Sequence, residues 1–249
     1  MKVVILGAGT AIPATRRSPS GIYVQAGTEH LLFDAGPGTL QRLHAIGVTF
    51  LQLDRLFLTH LHPDHCLDLV SILFAMHIPQ PARTKPFVVY GPPGIERLYR
   101  QLNAAFHGWL QPRTYRLTFR ELAETRLHLR GCTVATRFMR HSPGALGYRL
   151  QTGGRHVVYS GDTDACEGIV ELGREADLLI LECSMTDERK VAGHLTPTEC
   201  GWIAARASCH HLVLTHFYPV FEGYDIRARV RRSFSGRLTL ARDVATFVL

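Results

Sequence analysis

Seven consecutive residues, Thr59-His60-Leu61-His62-Pro63-Asp64-His65, constrain this chain more than any other feature. The apolar run Leu56-Phe57-Leu58 leads into them and an amphipathic run follows, so they stand where a strand ends and a helix begins. Side chains alternate along an extended chain, which puts His60 and His62 on the same side. The turn at Pro63 then carries Asp64 and His65 to the neighbouring side. Imidazole suits zinc, manganese or iron, and an aspartate among histidines completes a mixed nitrogen and oxygen donor set. One such cluster supplies two half-filled metal sites, so the rest of the chain must supply the partners.

Three further residues stand at comparable places. His141 follows a strand in Arg140-His141-Ser142-Pro143, Asp162 follows another in Ser160-Gly161-Asp162-Thr163, and His216 follows a third in Leu214-Thr215-His216-Phe217. Each sits where an apolar strand meets a polar turn, which is where α/β folds place their sites. Alone, each reads as a core or surface histidine, or as an ordinary turn. Beside the 60–65 cluster they read as the missing ligands.

Short β-branched runs alternate with longer amphipathic ones along the chain. Strands are expected at 2–6, 21–25, 30–34, 55–59, 87–90, 115–119, 126–129, 133–138, 145–151, 156–160, 178–182 and 211–215. Helices are expected at 38–46, 65–77, 93–105, 166–172, 196–207 and 226–233. The last but one opens on Thr196-Pro197-Thr198-Glu199, a cap residue, a first-turn proline and a glutamate at the third position. The β-only stretch from about 115 to 160 calls for two packed sheets with helices outside them. With 249 residues, 46% of them hydrophobic, there is material for one sizeable core, and one domain over 1–249 is expected.

No run of 18 apolar residues is present, so no membrane span is expected. Met1-Lys2 passes directly into Val3-Val4-Ile5-Leu6, which reads as a strand and not as a leader, so secretion is not expected. Cys66, Cys132, Cys166, Cys183, Cys200 and Cys209 form no CxxC pair and read as buried apolar residues in a reducing cytoplasm. The net charge is +7, and of 28 basic residues all but Lys2, Lys85 and Lys190 are arginine. Between Arg97 and Arg155 the only acids are Glu121 and Glu124. A second basic stretch holds Arg227, Arg229, Arg231, Arg232, Arg237 and Arg242. Arginine forks suit phosphate and sulfate oxygens, so an anionic substrate is expected, either a small molecule or a nucleic acid.

These residues resemble those of the metallo-β-lactamase fold superfamily, and within it the ribonuclease Z and arylsulfatase-like branch. The matching stretches are Gly7-Ala8-Gly9-Thr10-Ala11-Ile12-Pro13, Phe33-Asp34-Ala35-Gly36-Pro37-Gly38-Thr39, the 60–65 cluster, His141 leading to Gly147-Tyr148, Ser160-Gly161-Asp162-Thr163, Leu181-Glu182-Cys183, His194-Leu195-Thr196 and Leu214-Thr215-His216-Phe217-Tyr218-Pro219. The resemblance implies a four-layer αβ/βα sandwich of two mixed sheets flanked by helices. It also implies two divalent metal ions, zinc before manganese or iron. His60, His62 and His141 would hold one, Asp64, His65 and His216 the other, and Asp162 would bridge them. Such a pair acidifies a shared water and clamps developing negative charge. Asp64 would also orient that water, while His194, paired with Glu182, would face the leaving group. Taken by themselves, His194 is a loop histidine and Glu182 an acid at a strand end. The resemblance further implies a homodimer.

Three departures stand out. Members that process transfer RNA carry a long arm between the Gly-Tyr and Gly-Asp-Thr elements, whereas here Thr152-Gly153-Gly154 reads as a tight hairpin turn. Asp164-Ala165 replaces the usual Arg-Pro, and Pro63 replaces a glycine before the cluster's aspartate. The expected activity is therefore hydrolysis of phosphodiesters, on nucleotides or RNA-like substrates. The alternatives are another ester on the same centre (aryl sulfate, phosphotriester, lactone or thioester) or a non-catalytic metal- or nucleic-acid-binding protein. Trp109, Tyr115, Phe217, Tyr218 and Phe221 are either core or a stacking surface, and Phe74–Pro79 is a helix packing face, a substrate wall or a dimer face.

Overall fold

The computed structural model describes residues 1–221 and 223–249. Its strands, in chain order, are β1 (Lys2–Gly7), β2 (Gly21–Ala26), β3 (Glu29–Phe33), β4 (Arg55–Phe57), β5 (Phe87–Gly91), β6 (Leu117–Glu121), β7 (Arg126–Leu129), β8 (Cys132–Phe138), β9 (Leu146–Thr152), β10 (Arg155–Tyr159), β11 (Leu178–Glu182), β12 (His211–Thr215), β13 (Arg237–Leu240) and β14 (Ala245–Val248). The helices are α1 (Thr39–Ala45), α2 (Pro63–Cys66), α3 (Asp68–His77), α4 (Ile95–Ala105), α5 (Glu167–Gly173), α6 (Pro197–Ala207) and α7 (Ile226–Val230).

Two seven-stranded sheets result, ordered β14-β1-β2-β3-β4-β5-β6 and β13-β12-β11-β10-β9-β8-β7. Each is antiparallel in one half and parallel in the other. The parallel halves are β3 to β6 and β10 to β13. Strands buried on both faces read as continuous apolar runs. In Leu178-Leu179-Ile180-Leu181, Leu178 and Ile180 enter the layer between the sheets, where they join Ile5, Phe33, Phe57 and Tyr148. Leu179 and Leu181 face the other way, into the layer formed with α5, α6 and α7. On the first sheet, Val4, Leu6 and Leu56 pack outward against Leu43, Ile72, Met76 and Ile95 of α1, α3 and α4. This is the four-layer sandwich.

All twelve expected strands are present, with β6 displaced two residues towards the C-terminus. The short, partly exposed β13 and β14 were not expected. The expected helix at 65–77 begins earlier, with Pro63 in its first turn, and is divided at Leu67 into α2 and α3. Thr196 and Glu199 form a reciprocal capping box at the start of α6. Gly153 and Gly154, with φ of +56° and +75°, make the two-residue β9–β10 turn, so no arm leaves the sheet there. No helix is long and apolar enough to cross a membrane among the described residues. All six cysteines are free thiols.

Candidate metal centre

Parallel strands deliver their C-terminal ends to one rim of a sheet. The ends of β4, β10, β11 and β12 lead to His60, Asp162, Glu182 and His216. The β8–β9 connection brings His141 to the same place, and Leu146 N donates to Thr59 O across the seam between the sheets at 2.9 Å. Gly161, at φ +57°, lets the β10 end turn here, because a side chain on it would meet Thr59 at 2.6 Å.

Two donor groups converge. His60, His62, His141 and Asp162 form one, and Asp64, His65 and His216 the other. The tautomers of four imidazoles are set by their outer partners. His65 Nδ1 donates to Asp34 Oδ2 at 2.8 Å and His141 Nδ1 donates to Gly193 O at 2.9 Å. Ser184 Oγ gives its proton to Glu182 at 2.5 Å and so accepts from His216 Nδ1 at 2.8 Å. Thr59 Oγ1 gives its proton to Asp34 and accepts from His60 Nδ1 at 3.0 Å. Each ring therefore turns an Nε2 lone pair inward.

Those inward atoms lie close together. His65 Nε2 and His216 Nε2 are 3.2 Å apart, and with both Nδ1 atoms donating outward the neutral rings would face each other lone pair to lone pair. In the other group, His62 Nδ1 lies 3.0 Å from His60 Nε2 and 3.2 Å from His141 Nε2. Nitrogen ligands at zinc distances on a tetrahedron are about 3.3 Å apart. Asp162 fits between the groups. Its Oδ1 lies 3.3 Å from His65 Nε2, and its Oδ2 lies 3.8 Å from His60 Nε2 and 3.9 Å from His141 Nε2. Oδ1 is buried without a hydrogen-bond partner. A buried carboxylate oxygen without a donor is costly unless a cation faces it. The donor set thus fits divalent metal ions. Each group draws two side chains from the loop after β4, and its remaining ligands, Asp162 among them, from the second sheet.

His194 lies on the open side, outside these two groups, and forms a third with Asp162 and His216. Its Nδ1 is 3.0 Å from Glu182 Oε1 and 3.9 Å from Asp162 Oδ2. Burial would lower its pKa, but the bond to Glu182 and the nearby carboxylates raise it above the ordinary imidazole value. Burial, opposed by Asp162, holds His60 well below that value, and burial with His141 lowers His62. His65 is raised well above it by Asp162 and Asp34, against its burial. Glu182 is fixed by Thr163 N, Ser184 N and Ser184 Oγ, all within 3.0 Å.

A model of the Beta-lactamase superfamily domain matches residues 29–217. The chain is 32% identical to Ribonuclease Z of Mycolicibacterium paratuberculosis over 273 aligned positions, covering 98% of this chain and 96% of that protein. The chain belongs to the metallo-β-lactamase superfamily, in its ribonuclease Z branch. Its fold is similar to the metallo-beta-lactamase fold protein YhfI from Bacillus subtilis, with TM-score 0.86, 25% identity, and coverage of 99% and 98% of the two chains. It is also similar to the short form of human tRNase Z, with TM-score 0.82, 25% identity, and coverage of 100% and 99%. Its likeness to proteins named Ribonuclease Z over nearly its whole length makes this chain a metal-dependent hydrolase.

Every site residue expected from the sequence lies at this centre. Asp34 was not expected to act there, yet it organises both groups. Besides His65 it accepts from Thr59 N, Thr59 Oγ1 and Tyr159 OH, all within 3.0 Å. Its only local signal is an acid closing the apolar run Leu31-Leu32-Phe33. Asp34 and His216 have φ of +58° and +60°, a conformation held here by the surrounding bonds. Of the five aromatic candidates, Tyr218 alone adjoins the centre, with its ring edge-on to His194 and His216. Tyr115, Phe217 and Phe221 are buried, and Trp109 packs beside Phe74 on the outer helices. The Arg97–Arg155 stretch gives the centre His141, but its arginines do not build it. Arg137 pairs with Glu171, Arg149 donates to the carbonyls ending α5, and Arg155 pairs with Asp177. Three of its arginines, Arg126, Arg137 and Arg149, line a cavity of about 580 Å³ on the outer face of β7–β10. The cleft beside Asp64, about 430 Å³, is lined instead by Thr10, Ala11, Pro13 and Arg17.

Proposed function

We propose that this protein is a dinuclear phosphodiesterase acting on nucleotide or RNA-like anionic substrates. The observation that carries the reading is the Asp162 carboxylate, which turns one oxygen to each donor group and leaves the buried one without a donor. His60, His62, His141 and Asp162 would hold one ion, and Asp64, His65, His216 and Asp162 the other. Five imidazoles with two carboxylates favour zinc, with manganese and iron also accepted by such donors. The pair of ions would lower the pKa of a shared water and offset charge developing on the phosphoryl oxygens.

The chain's own residues supply the rest. Asp64, anchored by Ala11 N at 3.1 Å, orients the attacking water. His194 gives a proton to the departing alkoxide, and Glu182 keeps its ring turned and charged. Arg17 lines the cleft beside Asp64 and gives an anionic substrate a counter-charge. The relatives named Ribonuclease Z support phosphodiester cleavage. The 273-position alignment exceeds the 249 residues of this chain, so at least 24 positions of that relative have no counterpart here. With the two-residue β9–β10 turn, this favours substrates that need no gripping arm. The free thiols support a reducing cytoplasm. The exposed Phe74, Phe106 and Trp109, around a cavity of about 410 Å³, support a homodimer through α3 and the turn after α4.

The metal-loaded protein should hydrolyse bis-p-nitrophenyl phosphate in preference to p-nitrophenyl sulfate and a lactone. Faster turnover of either competitor would replace this reading with another ester hydrolase. No turnover of any of the three, with full metal content, would leave a binding protein.

A further inference from the structure

Asp164 has a partner of its own. Lys190 Nζ lies 2.7 Å from Asp164 Oδ1, 2.5 Å from His194 O, and 2.7 and 2.6 Å from the two carboxylate oxygens of Glu199. Three ammonium protons thus meet four acceptors on three segments. Each segment leads to the centre. Asp164 is two residues beyond Asp162, and its N donates to Arg140 O, beside His141, at 2.8 Å. Its Oδ2 accepts from Gly193 N at 3.1 Å, and Gly193 O receives His141 Nδ1. Glu199 closes the α6 capping box on Thr196, two residues after His194. Asp187, at the other end of this strap, is fastened by Thr198 N and Oγ1.

We infer that Lys190 is a positioning residue that holds His194 on the leaving-group side of the centre by tying its carbonyl to Asp164 and Glu199. The inference rests on the role of His194 proposed above. Without the ammonium, Asp164 and Glu199 would each lose a charge-assisted bond and the His194 carbonyl would lose its tie to both, leaving this part of the strap from Thr186 to Thr196 held through Gly193, by Asp164 and His141. A displacement of His194 by about 1 Å is enough to cost up to 10²-fold in rate.

The test uses metal-loaded wild type, Lys190→Met, Lys190→Arg, His194→Ala and the Lys190→Met/His194→Ala double variant. Each is assayed on phosphodiesters of graded leaving-group pKa, with metal content measured and the His194 ring followed by ¹⁵N NMR. Lys190→Met should keep its metal and its KM and lose about 10–100-fold in kcat on poor leaving groups, with little loss on p-nitrophenolate. Lys190→Arg should recover most of that loss. Lys190→Met should cost nothing further once His194 is alanine, and the His194 ring signal should shift in Lys190→Met. Additive losses in the double variant, an equal loss on every leaving group, or an unmoved ring signal would overturn the inference. If His194→Ala itself shows no dependence on the leaving group, the acid role has failed instead. The ring signal then decides alone: a shift upholds the positioning by Lys190, and no shift ends it.

Discussion

The two sheets feed one centre in opposite ways. The first sheet sends His60, His62, Asp64 and His65 from a single six-residue stretch after β4. The second sends His141, Asp162 and His216 from three loops separated by tens of residues, with His194 from a fourth. A compact cluster needs only local geometry, an extended pair and then a helical turn. A dispersed set needs the sheet itself, because only the register of β10, β11 and β12 aligns their ends. The first contribution is local in sequence, although Asp34 supports it from the end of β3, and the second depends on the whole sheet.

Replacing the one residue that joins the two contributions should have the largest effect. Asp162→Ala is expected to abolish turnover and to lower metal content at both groups. His62→Ala should also abolish turnover but lower metal content chiefly at one. Metal analysis beside rate measurement checks both, and a full metal complement with wild-type rates in either variant would break the comparison.

Next in size is His194→Ala, expected to keep its metal and lose about 10²–10⁴-fold in rate, more with poor leaving groups. Because the pKa of His194 is raised and the acid must be protonated, wild-type kcat on poor leaving groups should fall on the alkaline side of that raised value. A pH–rate profile that is flat there, or a loss in the variant that follows metal content, would make His194 a ligand or a structural residue. Glu182→Gln should give a milder version of the same profile.

Asp34→Asn tests whether the compact cluster is as self-sufficient as it looks. Its side chain supports both His65 and, through Thr59, His60, so metal affinity should weaken about 10–100-fold. Competition titration with a chelator measures this, and an unchanged affinity would show that the 60–65 stretch holds its shape without the first sheet's own acid.

The smallest effect concerns the register of the second sheet. His211, at the start of β12, is held down to about 4 by burial and by Arg237. It stays neutral in the folded chain but charges near 6.5 when unfolded. Its contribution is therefore complete above about pH 6.5 and lost as pH falls from there towards 4. Thermal midpoints recorded across that window should fall with pH in the wild type and fall less in His211→Gln. Equal slopes would remove His211 from the account.

The same contrast explains what could be read without the structure. The 60–65 cluster was legible because its ligands are neighbours in sequence. Strands such as β11 and β12 were legible because burial on both faces leaves continuous apolar runs, Leu178–Leu181 among them. β13 and β14 were not, because they are four residues long and only partly buried. Asp34 was not, because its partners Thr59, His65 and Tyr159 lie 25, 31 and 125 residues away. The arginine count pointed to an anion, but Arg126, Arg137 and Arg149 serve the outer face, and the cleft has Arg17 from the other end of the chain.

Because each donor group takes side chains from both sheets, a bound ion is also a cross-link between two halves of a sandwich at one rim. The layer between the sheets is otherwise apolar packing, which resists sliding poorly compared with fixed bonds, joined by the hydrogen bonds from Tyr148 to Leu58 O and from Tyr159 to Asp34. Each ion bound only by the folded chain adds about 2.7 kcal/mol at a free concentration 100 times its Kd. Stripping the metal should therefore loosen this rim first, and the bridge from Leu146 N to Thr59 O is its natural reporter. Amide exchange at Leu146 should quicken on chelation far more than exchange at Val24, in the interior of the first sheet. In this molecule the catalytic equipment doubles as a rivet, and metal starvation would be felt as a mechanical fault as well as a chemical one.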